Sequence, residues 1–466
     1  MSGSNKRASL EKASTLNVFI GANKKIATLS LPIGSETELS LSYEPSWVEQ
    51  GFPLSPHLPF HQAIPSSAVR NYLQNLLPEG QGLEDITTNT TVSKNNTFGL
   101  IRIIGAETSG ALSFRSPNAQ PIENGFRPIT SAELSDKLER HQKSGEPITL
   151  WDGRTRLSVA GVQDKLNLLE FHGEIGFGEG NLCSNKIFKF ETGKAPFIAA
   201  NELFTMLLAK HSGLETPQVE IREYGAVRTF VVDRFDRYYI PEQNIVKRRH
   251  VIDGCQATNL PPSYKYERQY GDQGDGKYIR DGVSFPRLFA VNTINREAYQ
   301  LKLLQWLTFN IVVRNYDAHG KNLSFFVGTH GLELTPFYDL VNIEAILVEI
   351  ERGNSKTKSP SARTYAMSIG DYEAGSEGNF ENPITAYMLA DFAQSFGISP
   401  ARTQLIMGKQ IEAIVKAIAG ARNEALEKGL TEPEIEHIDL CVSIIESAVN
   451  ELSNEMKQIP AMAKRL

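Results

Sequence analysis

At 466 residues the chain has room for two or three domains, each burying a core of its own. With 41% hydrophobic, 22% charged and 9% aromatic residues, its composition is that of an ordinary soluble protein, which excludes a fibrous or disordered chain. Forty-eight basic residues against 54 acidic ones give a formal charge of −6. That balance argues against holding DNA or RNA by bulk electrostatics, though not against joining a DNA-bound assembly through a basic partner.

Cys183, Cys255 and Cys441 lie far apart without CxxC spacing, so buried small side chains are expected rather than a disulfide framework or a zinc site. Scarce cysteine suits a reducing cytosol. The opening MSGSNKRASLEKAS has no apolar h-region and does not read as a secretory signal. The most apolar run, Leu301 to Val313, is interrupted by Lys302 and Gln305 and is too short to span a bilayer. A soluble protein acting in the cytoplasm, with no membrane contact, is expected.

In chain order, LNVFIGANKKIATLSL (16–31) reads as a hairpin, and LSLSYEP follows as another strand. In SSAVRNYLQNLLPEG, Val69, Tyr72, Leu73, Leu76 and Leu77 recur at helical spacing, and Pro78 and Gly80 mark the stop. Residues 98–114 (FGLIRIIGAETSGALSF) read as strands and glycine turns. This first part, 1–130, is expected to be a small α+β subdomain with no catalytic signature of its own.

From Thr149 to Asp236 the runs LNLLEF, KIFKFET and VRTFVVDRF carry the β-branched and aromatic residues of strands. Between the second and third lies one helix, ANELFTMLLAKHSG, with Leu203, Met206, Leu207 and Leu208 on its apolar side. The order predicts a twisted sheet with a packed helix over 131–238. Residues 240–285 are polar and rich in tyrosine and glycine, and read as loop. The remainder of 239–466 is mostly helical, through AYQLKLLQWLTFNIVV and several amphipathic helices over 383–457.

The strongest chemical signal is 315-NYDAHGKNLSFFV, followed by LELTPFYDLVN-342. Asp317 and Asn322, with four residues between them, sit in a loop after an apolar helix, and Asp339 ends the hairpin that follows. Alone, such a pair reads as an Asx-turn loop. Together with Asp339, it matches the order by which kinases place a base, a metal-binding Asn and a metal-binding Asp. Phosphoryl transfer needs positioning and charge neutralisation more than covalent help, and hard oxygen ligands suit Mg²⁺.

Upstream, SVAGVQDKLNLLEF (158–171) places a small-residue turn before a strand, where backbone N–H groups can face phosphates. Lys189 lies between Phe188 and Phe190, so alternation puts it on the opposite face from both. It reads as a solvent-facing lysine or as a phosphate-binding one. Glu202 reads equally as its partner or as a first-turn acid favoured by the helix dipole. FVVDRFDRY (230–238) reads either as a strand ending in a charged turn or as a hinge, whose backbone at Asp233 to Phe235 meets adenine.

Together these segments resemble the HipA family, serine/threonine kinase toxins of bacterial type II toxin–antitoxin systems. SVAGVQDK is similar to the family's phosphate-binding loop, KIFKFE to its lysine strand, and VVDRFDR to its hinge. YDAHGKN is similar to its catalytic loop, and LTPFYD to its metal-binding segment. VRNYLQNLLPEG, SGALSF and ARTYAMSIGD extend the resemblance over nearly the whole chain. Asp164 and Asp233 stand where the family often has Glu.

The resemblance implies an α+β, kinase-like, two-lobed fold, with a small N-terminal α+β domain and a mostly helical C-terminal lobe. It implies ATP and Mg²⁺ as cofactors, Asp317 as proton acceptor, and Asn322 and Asp339 as metal ligands. Lys189 would hold phosphates, and Ala160, Gly161, Val162, Gln163, Asp164 and Lys165 would wrap the nucleotide. Asp233, Arg234 and Phe235 at the hinge, and His319, Gly320, Lys321 and Tyr338 near the catalytic residues, would add contacts. Ser158 would be autophosphorylated, placing a dianion where the phosphates of ATP bind.

Implied partners are a HipB-like helix-turn-helix antitoxin, operator DNA mainly through that antitoxin, and a protein substrate such as an aminoacyl-tRNA synthetase, with growth arrest and persistence as the outcome. Two other functions share these residues: a kinase of a lipid or small metabolite, and a non-enzymatic corepressor acting with a DNA-binding antitoxin.

Overall fold

The computed structural model describes residues 14–32, 34–35, 38–88, 90–156, 164–193, 195–271, 274–353, 363–369, 375–376 and 384–466. Strands β1 (Thr15–Ile20), β2 (Lys24–Ser30), β3 (Ser40–Tyr43) and β4 (Leu112–Arg115) form an antiparallel sheet in the order β3-β2-β1-β4. Leu16 and Val18 of β1 and Ile26, Ala27 and Leu29 of β2 are fully buried. They pack with Val69, Tyr72 and Leu73 of the helix Ser66–Gln74, on the positions helical spacing predicted.

The run read as strand at 98–114 is a helix, Thr97–Ile104, followed by β4. Asn96 starts it, its side chain accepting from the Gly99 N–H at 2.8 Å. Phe98, Leu100, Ile101 and Ile104 are all buried. A short apolar run buried around most of its circumference shows no period, and its β-branched residues favoured the wrong choice.

The second sheet has six strands: β5 (Gly125–Ile129), β8 (Lys165–Phe171), β9 (Glu174–Glu179), β10 (Lys186–Phe190), β11 (Val219–Tyr224) and β12 (Val227–Asp233). A small hairpin, β6 (Leu150–Trp151) and β7 (Arg154–Thr155), lies beside it. Its antiparallel order is β11-β12-β10-β8-β9-β5. Residues 125–129 therefore belong to this sheet. The helix Ser131–Ser144, started by a Thr130–Glu133 capping box, covers one face with Leu134 and Leu138 against Leu166, Leu168, Phe188 and Phe190.

The helix Ile198–His211 contacts β11 and β12 and the long helices Pro400–Leu426 and Glu432–Met456. Enclosed in this way, it is buried on every side from Ala199 to Ala209, not along one stripe.

Residues 240–285, read as loop, contain ordered structure. The hairpin β13 (Arg237–Ile240) and β14 (Ile245–Arg248) is followed by β15 (Val251–Asp253), which pairs with β16 (Ser324–Gly328) and, through it, β17 (Gly331–Leu334). Four-residue strands with charged ends are too short for their period to emerge from a polar background. Beyond them the chain is helical as expected, with helices at Arg296–Val312, Ala386–Ser395, Pro400–Leu426 and Glu432–Met456. The three cysteines are free and buried. Among the described residues no helix is long and apolar enough to cross a membrane.

Candidate active site

Strand register sets the first half of the site. Lys189 pairs with Phe230 of β12 on one side and Lys165 of β8 on the other, so the two lysines lie side by side on the face that meets the helix Ile198–His211. Lys189 Nζ lies 2.5 Å from Glu202 Oε1 and 2.5 Å from Asp339 Oδ1. Glu202 is in the second turn of its helix and 2% exposed, so it is the lysine's partner and not a first-turn acid.

Burial alone would lower the Lys189 ammonium, but Asp339 and Glu202 hold it above the ordinary lysine value. Burial raises Glu202 to about 7, against the pull of Lys189. Asp339 falls to about 2 because Lys189 outweighs its burial. Its side chain is still 41% exposed, on the wall of the cleft. Burial, then the neighbouring Lys189 charge, brings Lys165 down to about 8.

The second half comes from the turn after the helix Arg296–Val312. Arg314 takes a left-handed φ of +53° and turns the chain. Asn315 Nδ2 donates to Asn310 Oδ1 at 2.8 Å, and its Oδ1 accepts from the Asp317 N–H at 3.2 Å. The Asx turn is therefore present, and it serves to hold Asp317. The Asp317 carbonyl accepts from the His319 N–H (2.8 Å) and from Asn322 Nδ2 (3.0 Å), tying the four-residue interval into one unit. His319 is buried, and burial lowers its imidazole from the ordinary value. Asp339 has φ +58°, an unusual conformation for a residue with a side chain.

At the hinge, Asp233 pairs with Lys186 at 2.5 Å. Arg234 is buried and forks onto Asp236, Nε to Oδ1 at 3.0 Å and Nη2 to Oδ2 at 2.8 Å, and also reaches Ser184. The N–H groups of Asp233 and Arg234 are committed to the Gln218 and Asn185 carbonyls. The Phe235 ring lies 5.4 Å from Tyr338, whose hydroxyl meets Ser324 and the Lys321 carbonyl at 2.7 Å each.

Asp164 accepts from Thr192 Oγ1 (2.8 Å) and lies 3.3 Å from His141 Nε2. Ser158, Ala160, Gly161, Val162 and Gln163 lie outside the described residues.

Several neighbours of the predicted residues escaped sequence reasoning. Lys321 is fully enclosed, donating to Asp253 Oδ2 (2.6 Å) and to Asn75 Oδ1 (3.0 Å), while Glu79 takes Lys265 at 2.6 Å. Tyr266 Oη donates to Asp317 Oδ1 at 2.6 Å. Asn75 and Glu79 come from the segment credited with no catalytic signature, and Tyr266 from the segment read as loop. The charge of Glu79 beside the Pro78 stop was the only available signal.

Lys165, Lys189, Glu202, Asp317, Asn322 and Asp339 line one cleft of about 490 Å³, within the usual range for small-molecule sites. Among the described residues no cluster of three or more His, Cys, Asp or Glu side chains is arranged to hold a metal. The Asn322 amide and Asp339 carboxylate are both hard oxygen donors on this cleft. That pair fits a divalent cation that keeps most of its shell as water and phosphate oxygen.

Two lobes, a lysine–glutamate pair on the sheet side and an Asp, Asn and Asp set on the helical side define a kinase-like fold. Family models agree. The HipA-like C-terminal domain matches residues 157–418, and the HipA N-terminal domain matches 16–115. The chain is 40% identical over 393 residues to the serine/threonine-protein kinase toxin HipA of Shewanella oneidensis, covering 84% of this chain and 85% of that one. It also matches the solved structure of the Shewanella oneidensis complex of HipA, HipB and operator DNA. The TM-score is 0.82 at 36% identity, covering 96% of this chain and 99% of the other. The chain belongs to the HipA family.

Proposed function

We propose that the protein is an ATP-dependent serine/threonine-protein kinase that acts as the toxin of a type II toxin–antitoxin system. One observation carries the reading: Lys189 is held between Glu202 and Asp339 on the same cleft as Asp317 and Asn322. The likeness to a named serine/threonine-protein kinase toxin supports it independently.

Lys189 and Lys165 would neutralise the phosphates, with Glu202 fixing the Lys189 ammonium so that its position costs nothing at the moment of reaction. Asn322 and Asp339 would hold Mg²⁺, and that ion would supply neutralisation of the phosphate charge. Adenine would lie against the backbone of Asp233 to Phe235. The Asp233 and Arg234 N–H groups are already bonded within the protein, so adenine would have to meet other backbone groups of this segment. Asp317 would orient the acceptor hydroxyl and take its proton as the acceptor oxygen bonds to the γ-phosphorus. The bond to the β,γ-bridging oxygen breaks, and ADP leaves.

Ser158, a few residues before Asp164 and Lys165, is the proposed autophosphorylation site. Its dianion would compete with ATP for the same lysines. The proposed partners are a HipB-like helix-turn-helix antitoxin and, through it, operator DNA. The net charge of −6 fits a basic partner supplying most phosphate contacts, and the HipA, HipB and operator DNA complex is the precedent. The proposed substrate is a translation protein such as an aminoacyl-tRNA synthetase, phosphorylated in the cytoplasm, with growth arrest and persistence following.

Incubating bacterial lysate with the chain and labelled ATP tests the acceptor class. A labelled protein that is absent with Asp317→Asn supports the reading; a labelled lipid or metabolite with no labelled protein contradicts it.

A further inference from the structure

Asp317 has a neighbour that the phosphoryl-transfer reading does not use. Tyr266 Oη donates to Asp317 Oδ1 at 2.6 Å, and the edge of its ring meets His319 at 5.1 Å between centroids. We propose that Tyr266 is a positioning residue of the phosphoryl-transfer site, holding one carboxylate oxygen of Asp317 so that the other is turned to the acceptor hydroxyl. The inference rests on Asp317 acting as the base.

A carboxylate accepts at both oxygens, and a fixed donor on one of them sets the plane and direction of the other. Whether Tyr266 can fix anything depends on its own backbone, which is pinned on both sides. The Lys265 carbonyl accepts from the Gly320 N–H at 2.9 Å, inside the catalytic loop, and the Lys265 ammonium is held by Glu79 at 2.6 Å. On the other side, the Glu267 N–H donates to the Ala366 carbonyl at 3.0 Å, and its carboxylate takes Arg280 and the Ser368 N–H. A Cβ added at Gly282 would meet the Tyr266 carbonyl at 1.8 Å, so another segment is packed against this strand of chain with no slack.

The alternative is a gate, in which the tyrosine hydroxyl occupies the acceptor's place and must swing away. A gate needs a mobile mount, and this mount is stitched to the catalytic loop it would have to leave. Burial and the Asp317 charge both push the phenol's ionisation up, so it remains a donor at any pH the enzyme meets.

The test is a double-mutant cycle of Tyr266→Phe and Asp317→Asn. It is read by labelled ATP transfer to dephosphorylated casein and, separately, by acceptor-free ATP hydrolysis. Losing a hydrogen bond to a charged group predicts that Tyr266→Phe lowers kcat about ten- to a hundredfold in both assays. KM for ATP and the thermal midpoint should stay as in the parent chain, and Tyr266→Phe should have no further effect in the Asp317→Asn background. A merely structural role would move nucleotide affinity and the midpoint together with kcat. An unchanged or raised kcat would overturn the proposal, as would an equal loss in both backgrounds. If ATP is hydrolysed but no protein is labelled, the protein-kinase reading falls and the Tyr266 comparison is decided on hydrolysis. Absence of turnover in both assays would overturn both.

Discussion

Lys189 lies between two carboxylates whose proton affinities burial and charge have driven apart, Glu202 to about 7 and Asp339 to about 2. Replacing it by methionine removes both the proposed phosphate contact and the cation bonded to Glu202. ATP-dependent transfer by Lys189→Met is expected to fall at least about a hundredfold in a labelled-ATP assay. The stability effect carries a sign. A carboxyl raised on folding holds a proton that the unfolded chain gives up, so its contribution weakens as pH rises through that window. Without Lys189 the Glu202 carboxyl rises further, and Lys189→Met should be more destabilised at pH 8 than at pH 6 in urea unfolding.

Lys165, lowered to about 8, gives a second readout at this scale. Phosphates beside it favour the ammonium, so binding of ATP near pH 8 should take up protons. Calorimetry in buffers of different ionisation enthalpy would detect this, and Lys165→Met should abolish it. At the residue scale, strand alternation put Lys189 on the face opposite Phe188 and Phe190 but left open whether that face met solvent or a partner. Tyr266 was illegible, because nothing local distinguishes a tyrosine that reaches Asp317 from the four other tyrosines between residues 264 and 299.

Among the elements, the hinge does two jobs that its sequence suggested only in part. Asp233, Arg234 and Phe235 line the cleft, and the charged side chains that follow fasten the segment to the N-terminal region. Asp236 accepts from Arg234, from Arg237 Nη1 at 2.7 Å and from the Gly110 N–H at 2.9 Å. Burial would raise this carboxyl, yet the two guanidinium groups hold it well below the usual aspartate range. Asp236→Asn leaves both arginines short of a countercharge inside the protein, and about 3–5 kcal/mol of stability should be lost in denaturant titration.

Because that carboxyl is depressed on folding, its contribution is complete above the ordinary aspartate value near 4 and disappears as pH falls below it. The variant's deficit should therefore shrink in acid. The hinge strand was legible from its β-branched run. The lock was not, since its partner Gly110 lies more than a hundred residues away. The Thr97–Ile104 helix was misread for a related reason: burial on most sides erases the period that distinguishes helix from strand.

Over the whole molecule, three stretches of chain meet at one cleft, and the N-terminal stretch is part of the machinery. Glu79 holds Lys265, the residue before Tyr266, and Asn75 holds Lys321 inside the catalytic loop. Glu79→Gln should cost about 1–3 kcal/mol in denaturant unfolding, the usual range for a charge-assisted hydrogen bond lost from a mostly buried site. The helical C-terminal region was legible because long helices keep their period, whereas the two-lobed plan came from the family resemblance of a few short segments. How the N-terminal stretch reaches the site depends on contacts across nearly 250 residues of sequence, which no local pattern encodes.

The most direct test of a phosphotransferase site built on Asp317, Asn322 and Asp339 is the intact mass of the dephosphorylated chain after incubation with Mg-ATP. The prediction is a gain of one phosphate, located by fragmentation at Ser158, in the parent chain and none in Asp317→Asn. An unchanged mass in the parent chain, or equal gain in the variant, would contradict it.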